Sequence, residues 1–184
     1  MKEKPPPDRH AFDNVWDEIN YLRVKLLYWL YRRHDRARSR AFAERLARLL
    51  TKADPDQASI LGQECRSLVH EALGDLPRAI AHRENEIRFI RRLHEISIGT
   101  LTEATALDGY DFSDLSDRLD LLAVLYHDSG QLDKAIQTLK ESRQVCAENG
   151  VKFDGAELLR EYQEESRVAR KRAPASVSRQ TSKR

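Results

Sequence analysis

The chain has 184 residues, 34% of them charged and only 7% aromatic, with 7 Gly, 6 Pro and 2 Cys. That length suits one ordinary domain with its own core, and two cysteines, Cys65 and Cys146, exclude a disulfide framework and point to a reducing, cytoplasmic setting. A net charge of +2 creates no whole-chain demand for nucleic acid, and the longest apolar run, Leu26 to Tyr31, is far short of the about 20 residues a bilayer span needs.

The opening MKEKPPPDRH has no apolar stretch of the kind a signal peptide carries, and residues 1–10 are expected to be disordered. The helical domain is expected over 11–172. Phe12, Val15, Ile19, Leu22, Leu26 and Trp29 recur at steps of three and four, which places them on one face of a first helix. Val24, Leu27, Tyr28 and Tyr31 widen the apolar surface to a second face. Such a helix is wedged between neighbours or forms the seam of a homo-oligomer. From Arg32 to Lys52 the chain is basic, with Phe42, Leu46, Leu49 and Leu50 on one side. A break near His34-Asp35 would make a hairpin. No Gly or Pro enforces it, so one long helix over 12–52 is the alternative. KADPDQ stops the helix, because the residue before Pro55 is pushed out of the helical region.

Ile60, Leu61, Cys65, Leu68, Val69 and Ala72 predict a helix ending at Gly74. Asp75 is a good N-cap and Pro77 fits a first turn, so another helix follows, with Ala79, Ile80, Ile87, Ile90 and Leu93, to about Ile96 or beyond. Thr102 to Leu107 reads as a short helix or loop, and LDGYDF as a loop. Ser113 or Asp111 caps the next helix, with Leu119, Leu122, Ala123, Leu125 and Tyr126, stopping at Ser129-Gly130. A helix over 132–147 ends at Asn149-Gly150. Asp154 with Glu157 has the spacing of a capping box for a last helix carrying Leu158, Leu159 and Tyr162. The tail after Arg172, basic over 173–184, lacks apolar periodicity and is expected to be disordered. The sum is three helical hairpins and a terminal helix, all-α.

Two stretches share a spelling. Gly74 to Ile80 reads GDLPRAI, and fifty-six residues later Gly130 to Ile136 reads GQLDKAI. These heptapeptides resemble the turn and second-helix start of a tetratricopeptide repeat, a two-helix unit of about 34 residues. In that pattern small side chains let the paired helices approach, and Gly supplies the corner. The second copy matches over Ser116 to Gly150, through Leu119, Leu122, Ala123, Tyr126, Gly130, Leu132, Ala135 and Leu139. The first matches in its second half only. Gln63, Arg66, Ser67 and His70 stand where apolar or small residues belong, and of these only Ser67 complies. The spacing also exceeds one unit, which implies inserted residues around 97–112. The resemblance implies a short array of stacked antiparallel hairpins, a TPR-like α-solenoid closed by a C-terminal capping helix, and a non-catalytic scaffold or adaptor that binds a protein or peptide in a groove.

On the matching copy, the resemblance puts Asp117, Asp120, Val124, His127 and Asp128 on the groove face, largely opposite Leu119, Leu122, Ala123 and Tyr126. The stretch 99–133 carries Glu103, Asp108, Asp111, Asp114, Asp117, Asp120, Asp128 and Asp133 against the single base Arg118. An acidic groove attracts a basic segment; the alternative is that these residues solubilise one face and favour helix N-termini. Some family members clamp a carboxylate with Lys, Arg and Asn here, and the charges in this chain have the wrong sign for that. Positive charge concentrates at 32–52 and 167–184, which raises the alternative of a nucleic-acid-associated regulatory protein, although the tail has no aromatic residue for stacking on bases. None of His10, His34, His70, His82, His94 and His127 forms H-E-x-x-H or stands beside a cysteine pair at zinc spacing. The Asp series 108–120 lacks the EF-hand pattern, and the glycines are too scattered to cradle a phosphate. Neither a catalytic site, nor a metal, nor a cofactor is expected.

Overall fold

The structure, a computed structural model, describes residues 12–99 and 114–172, and of 94–99 the backbone alone. The expectations for residues 1–10, for the helix and loop over 102–112 and for the tail 173–184 lie outside the described residues. Among the described residues the fold is all-helical, with neighbouring helices packed on one another. Seven α-helices follow in order: α1 (Val15–Leu27), α2 (Arg36–Ala53), α3 (Ile60–Leu73), α4 (Leu76–Gly99), α5 (Asp114–Asp128), α6 (Leu132–Glu148) and α7 (Ala156–Arg172). No described helix is long and apolar enough to cross a membrane.

The chain breaks after α1, and a widened turn does the breaking. Residues Tyr28–Arg32 form one π-helical turn, in which the Arg33 N–H donates to the Tyr28 carbonyl at 3.1 Å. His34 then takes a left-handed φ of 50°, and the Asp35 side chain caps α2 by accepting from the Arg38 N–H at 3.0 Å. The first two helices are therefore a hairpin. Ile19, Leu22, Leu26 and Trp29 are buried, while Val24, on the second face, is 43% exposed. Arg38 lies over the Trp29 ring, 4.3 Å from its centroid.

The two spelled-alike corners have one geometry. At Gly74 (φ 82°) the glycine N–H donates to the Glu71 carbonyl and the Asp75 N–H to the His70 carbonyl. At Gly130 (φ 77°) the donors are Gly130 and Gln131, the acceptors His127 and Tyr126. Any Cβ at these angles would be strained, so glycine is the residue the corner requires. The α7 start differs from expectation. The Gly155 carbonyl accepts the first helical bond, from Leu159, and Asp154 pairs with Lys152 at 2.9 Å instead of capping.

Two apolar clusters form the core. One joins α1, α2 and α3 through Ile19, Leu22, Leu26, Ala43, Leu46, Leu50, Cys65, Leu68 and Val69. The other joins α4 through α7, through Ile80, Ile87, Ile90, Leu119, Leu122, Tyr126, Ile136, Leu139, Leu159 and Tyr162. Between them, where α3 meets α4, five polar side chains are buried: Gln63, Glu64, Ser67, Arg83 and Glu86. This explains why the first heptapeptide copy departs from its pattern. Helix α3 turns Cys65, Leu68 and Val69 toward the first hairpin and presents polar groups to α4. Ser67 Oγ donates to the Ala79 carbonyl at 2.9 Å, and Gln63 reaches the Gln57 carbonyl and His82 Nδ1 at 2.6 and 2.8 Å. Each polar group in this layer that gains such a partner avoids the cost of dry burial.

Candidate functional site

The polar layer continues into an ionic ladder that ties the helices together. Arg23 of α1 pairs with Glu64 of α3 at 2.7 Å, and Arg118 of α5 approaches the other Glu64 oxygen at 3.6 Å. Arg118 Nε also lies 2.9 Å from Glu86 Oε1, close in distance but off the hydrogen-bond direction. Glu86 in turn holds Arg83 Nη1 at 2.5 Å, and both of these side chains are fully buried. Beside them the Tyr31 hydroxyl donates to Glu71 at 2.5 Å. Burial raises the Glu86 carboxyl, against the pull of Arg83 and Arg118. It raises Tyr31 too, with the Glu71 charge adding to it. The Arg83 guanidinium, which burial alone would lower, is held above its usual value by Glu86, Tyr31, Glu64 and Glu71.

The two outer arginines of the ladder line a cleft of about 430 Å³ that crosses α1, α3 and α5. Trp16, Asn20 and Arg23 come from α1, Leu61 from α3, and Asp114 and Arg118 from α5, with Asp17 beside them. Each is placed by helical repeat: 16, 20 and 23 share one face of α1, and 114 and 118 are one turn apart on α5. Arg23 and Arg118 are mostly buried and both face Glu64 on the inner side of the cleft. A concave patch with an apolar pair and a few fixed polar groups has the make-up of a binding site.

The five residues that the resemblance assigned to a groove do not share one open surface. Asp117 and Asp128 are exposed on α5. The Asp128 charge adds to the raised pKa of Tyr31 and Glu71. Asp120 lies against the start of α7, where a Cβ on Gly155 would stand 3.0 Å from its carboxylate. Burial, with the Asp117 and Asp154 charges, raises its pKa. His127 stacks on Tyr162 of α7 at 4.2 Å and pairs with Glu165 at 2.9 Å. Burial pulls its imidazole down, but the Glu165 and Asp128 carboxylates outweigh that and hold it above the ordinary value. Val124 is half-buried on the same helix.

Reading the sequence missed the cleft's α5 member Arg118, the one base in that acidic stretch. It also missed Asn20 and Arg23, which stand between the apolar repeats of α1. The available signal was the set of polar residues in the first heptapeptide copy where the second has Leu119, Leu139 and Ser142: at those positions fifty-six residues earlier stand Gln63, Arg83 and Glu86.

Comparison with protein-family models, curated proteins and solved structures finds no match to this chain.

The basic stretch 32–52 is partly neutralised in place. Arg45 pairs with Glu18 and Arg40 with Glu44, while Arg38 covers Trp29. Among the described residues no group of His, Cys, Asp and Glu side chains is arranged to hold a metal ion. Cys65 and Cys146 are buried and unpaired, and burial raises the Cys65 thiol far above its usual range, which makes it a poor nucleophile.

Proposed function

We propose that this protein is a non-catalytic interaction scaffold, a tetratricopeptide-like stack of helical hairpins that holds a segment of a partner protein in the cleft across α1, α3 and α5. The observation that carries this reading is the cleft itself, with Trp16 and Leu61 beside Asp17, Asn20 and Asp114, on a wall that Glu64 braces from three helices. The left-handed glycine corners and the close approach of Ser67 to the Ala79 carbonyl support the tetratricopeptide-like part. The partner segment is basic. Arg23 and Arg118 are turned inward to Glu64, and Arg118 also to Glu86, while Asp17, Asp114 and Asp117 carry the acidic charge on the outer side of the cleft. The unpaired buried cysteines support a reducing, cytoplasmic setting.

The test is affinity capture from cell extract, comparing the native chain with the variant Asp17→Lys/Asp114→Lys. The partner recovered by the native chain is expected to fall by about tenfold with the variant, since like charges now face a basic segment. Recovery of the same proteins in the same amounts would remove the cleft from the argument.

A further inference from the structure

We propose that the groove between α6 and α7 is a second docking surface, and that it takes an acidic helix of a partner protein. Each of α1, α3 and α5 has the helix that follows it in the chain packed against it. Helix α7 has no such follower among the described residues. Its residues Gln163, Ser166, Arg167, Arg170 and Lys171 fall at the i, i+3, i+4, i+7, i+8 spacing of a single helical stripe, and this stripe faces Ile136 and Lys140 of α6 across a groove of about 440 Å³. A groove between two helices packed side by side is the shape that a third helix fills.

The groove's chemistry selects the occupant. Lys140, Arg167, Arg170 and Lys171 line it with positive charge around a single apolar contact point, Ile136. Two of the four cations have an ion-pair partner among the described residues: Arg167 reaches Glu164 at 2.8 Å and Arg170 reaches Asp133 at 3.4 Å, all four of these paired side chains being more than half exposed. Lys140 and Lys171 have no ion-pair partner among the described residues. Arg170 and Lys171 stand about one helical turn beyond Arg167, the same pitch at which Glu residues recur on one face of a partner helix. Among the described residues no aromatic side chain lines the groove, so they offer nothing on which nucleic-acid bases would stack. This surface is separate from the cleft across α1, α3 and α5, and shares no residue with it.

The experiment uses the full chain and a fluorescein-labelled synthetic helix of about four turns, with Glu at every third or fourth position and one central Leu. A Lys-for-Glu version of the peptide and an oligouridylate are the comparison probes. Binding is followed by fluorescence anisotropy at low and high salt, for the native chain and for Lys140→Glu/Arg170→Glu, whose far-UV circular dichroism checks folding. A milder variant, Arg167→Ala/Lys171→Ala, guards against a folding failure in the first. The Glu peptide is expected to bind the native chain, to lose about tenfold or more in affinity on the double reversal and less on the alanine pair, and the Lys peptide not to bind. Equal affinity for native chain and variants would assign the binding to basic residues elsewhere and overturn the proposal. So would tighter, groove-dependent binding of the oligouridylate, which would make the surface a nucleic-acid site. A change in sedimentation of the double reversal relative to the native chain would also overturn it, by making the occupant a second copy of this chain.

Discussion

Replacing Glu86 by Gln removes the one carboxylate among the described residues that touches Arg83, and Arg83 is fully buried. Its Nε and Nη2 already lack hydrogen-bond partners among the described residues, so the remaining charge would keep only the more distant Glu64 and Glu71. Breaking one side of a buried pair costs about 3–5 kcal/mol, mostly the penalty of the charge left behind. For a chain of this length that corresponds to a melting-temperature drop on the order of 10 °C. Arg83→Leu alone leaves Glu86 with Arg118, 2.9 Å away, and costs less, about 2 kcal/mol. The double variant Arg83→Leu/Glu86→Ser installs the residues found fifty-six positions later, Leu139 and Ser142, and removes equal and opposite charges. It leaves Arg23, Arg118, Glu64 and Glu71, so its cost should fall to within about 1–2 kcal/mol of the native chain. Urea unfolding followed by circular dichroism measures all three. A cost under about 1 kcal/mol for Glu86→Gln, or a double variant no more stable than Glu86→Gln, would refute the buried-charge account.

Three further outcomes follow from particular contacts. Gly62→Ala should lower the melting temperature although Ala is the better helix former by about 1 kcal/mol, because the new Cβ would stand 1.9 Å from Asp54 Oδ2 and displace the Asp54–Arg66 pair (2.6 Å) that closes the α2–α3 turn; a rise would contradict this. His82 is pushed down to about 4 by burial, with His70, Arg66 and Arg78 adding to it. Its neutral form is favoured on folding, so the stability it protects is complete above the ordinary value of about 6.5 and is lost as pH falls toward the folded value. His82→Thr, the residue type at the corresponding Thr138, should flatten the melting temperature between those limits, and an unchanged slope would show that the stacked His70–His82 pair (5.3 Å) is not the acid-sensitive element. His127 has the opposite sign. Its folded pKa is raised, so its share of α7 docking is complete below the ordinary value and fades as pH rises through the folded one. Native chain and His127→Gln should therefore differ most in melting temperature at acid pH, and a difference that grows with pH would refute the pairing with Glu165 as its source.

What the sequence determined by itself was local. The helices of α3 through α7 follow from apolar periodicity, and the corners at Gly74, Gly130 and Gly150 from a left-handed φ that only a residue without Cβ adopts freely. Those signals act over one helical turn, so a single stretch of chain contains them whole. The corner after α1 was harder, because His34 in a left-handed conformation and one π-helical turn replace the glycine that usually announces it. Tertiary structure alone decided which side of each helix meets which neighbour. Arg23 and Glu64 are 41 positions apart, and Tyr126 and Glu84 are 42 apart, so no periodicity within one helix pairs them. The same holds for α5. The resemblance puts Asp117, Asp120, Val124, His127 and Asp128 on one groove face, and docking of α7 turns His127 and Asp120 against that helix while leaving Asp117 and Asp128 exposed. Burial is set by what lands on a surface, and that is a property of the packed helices together.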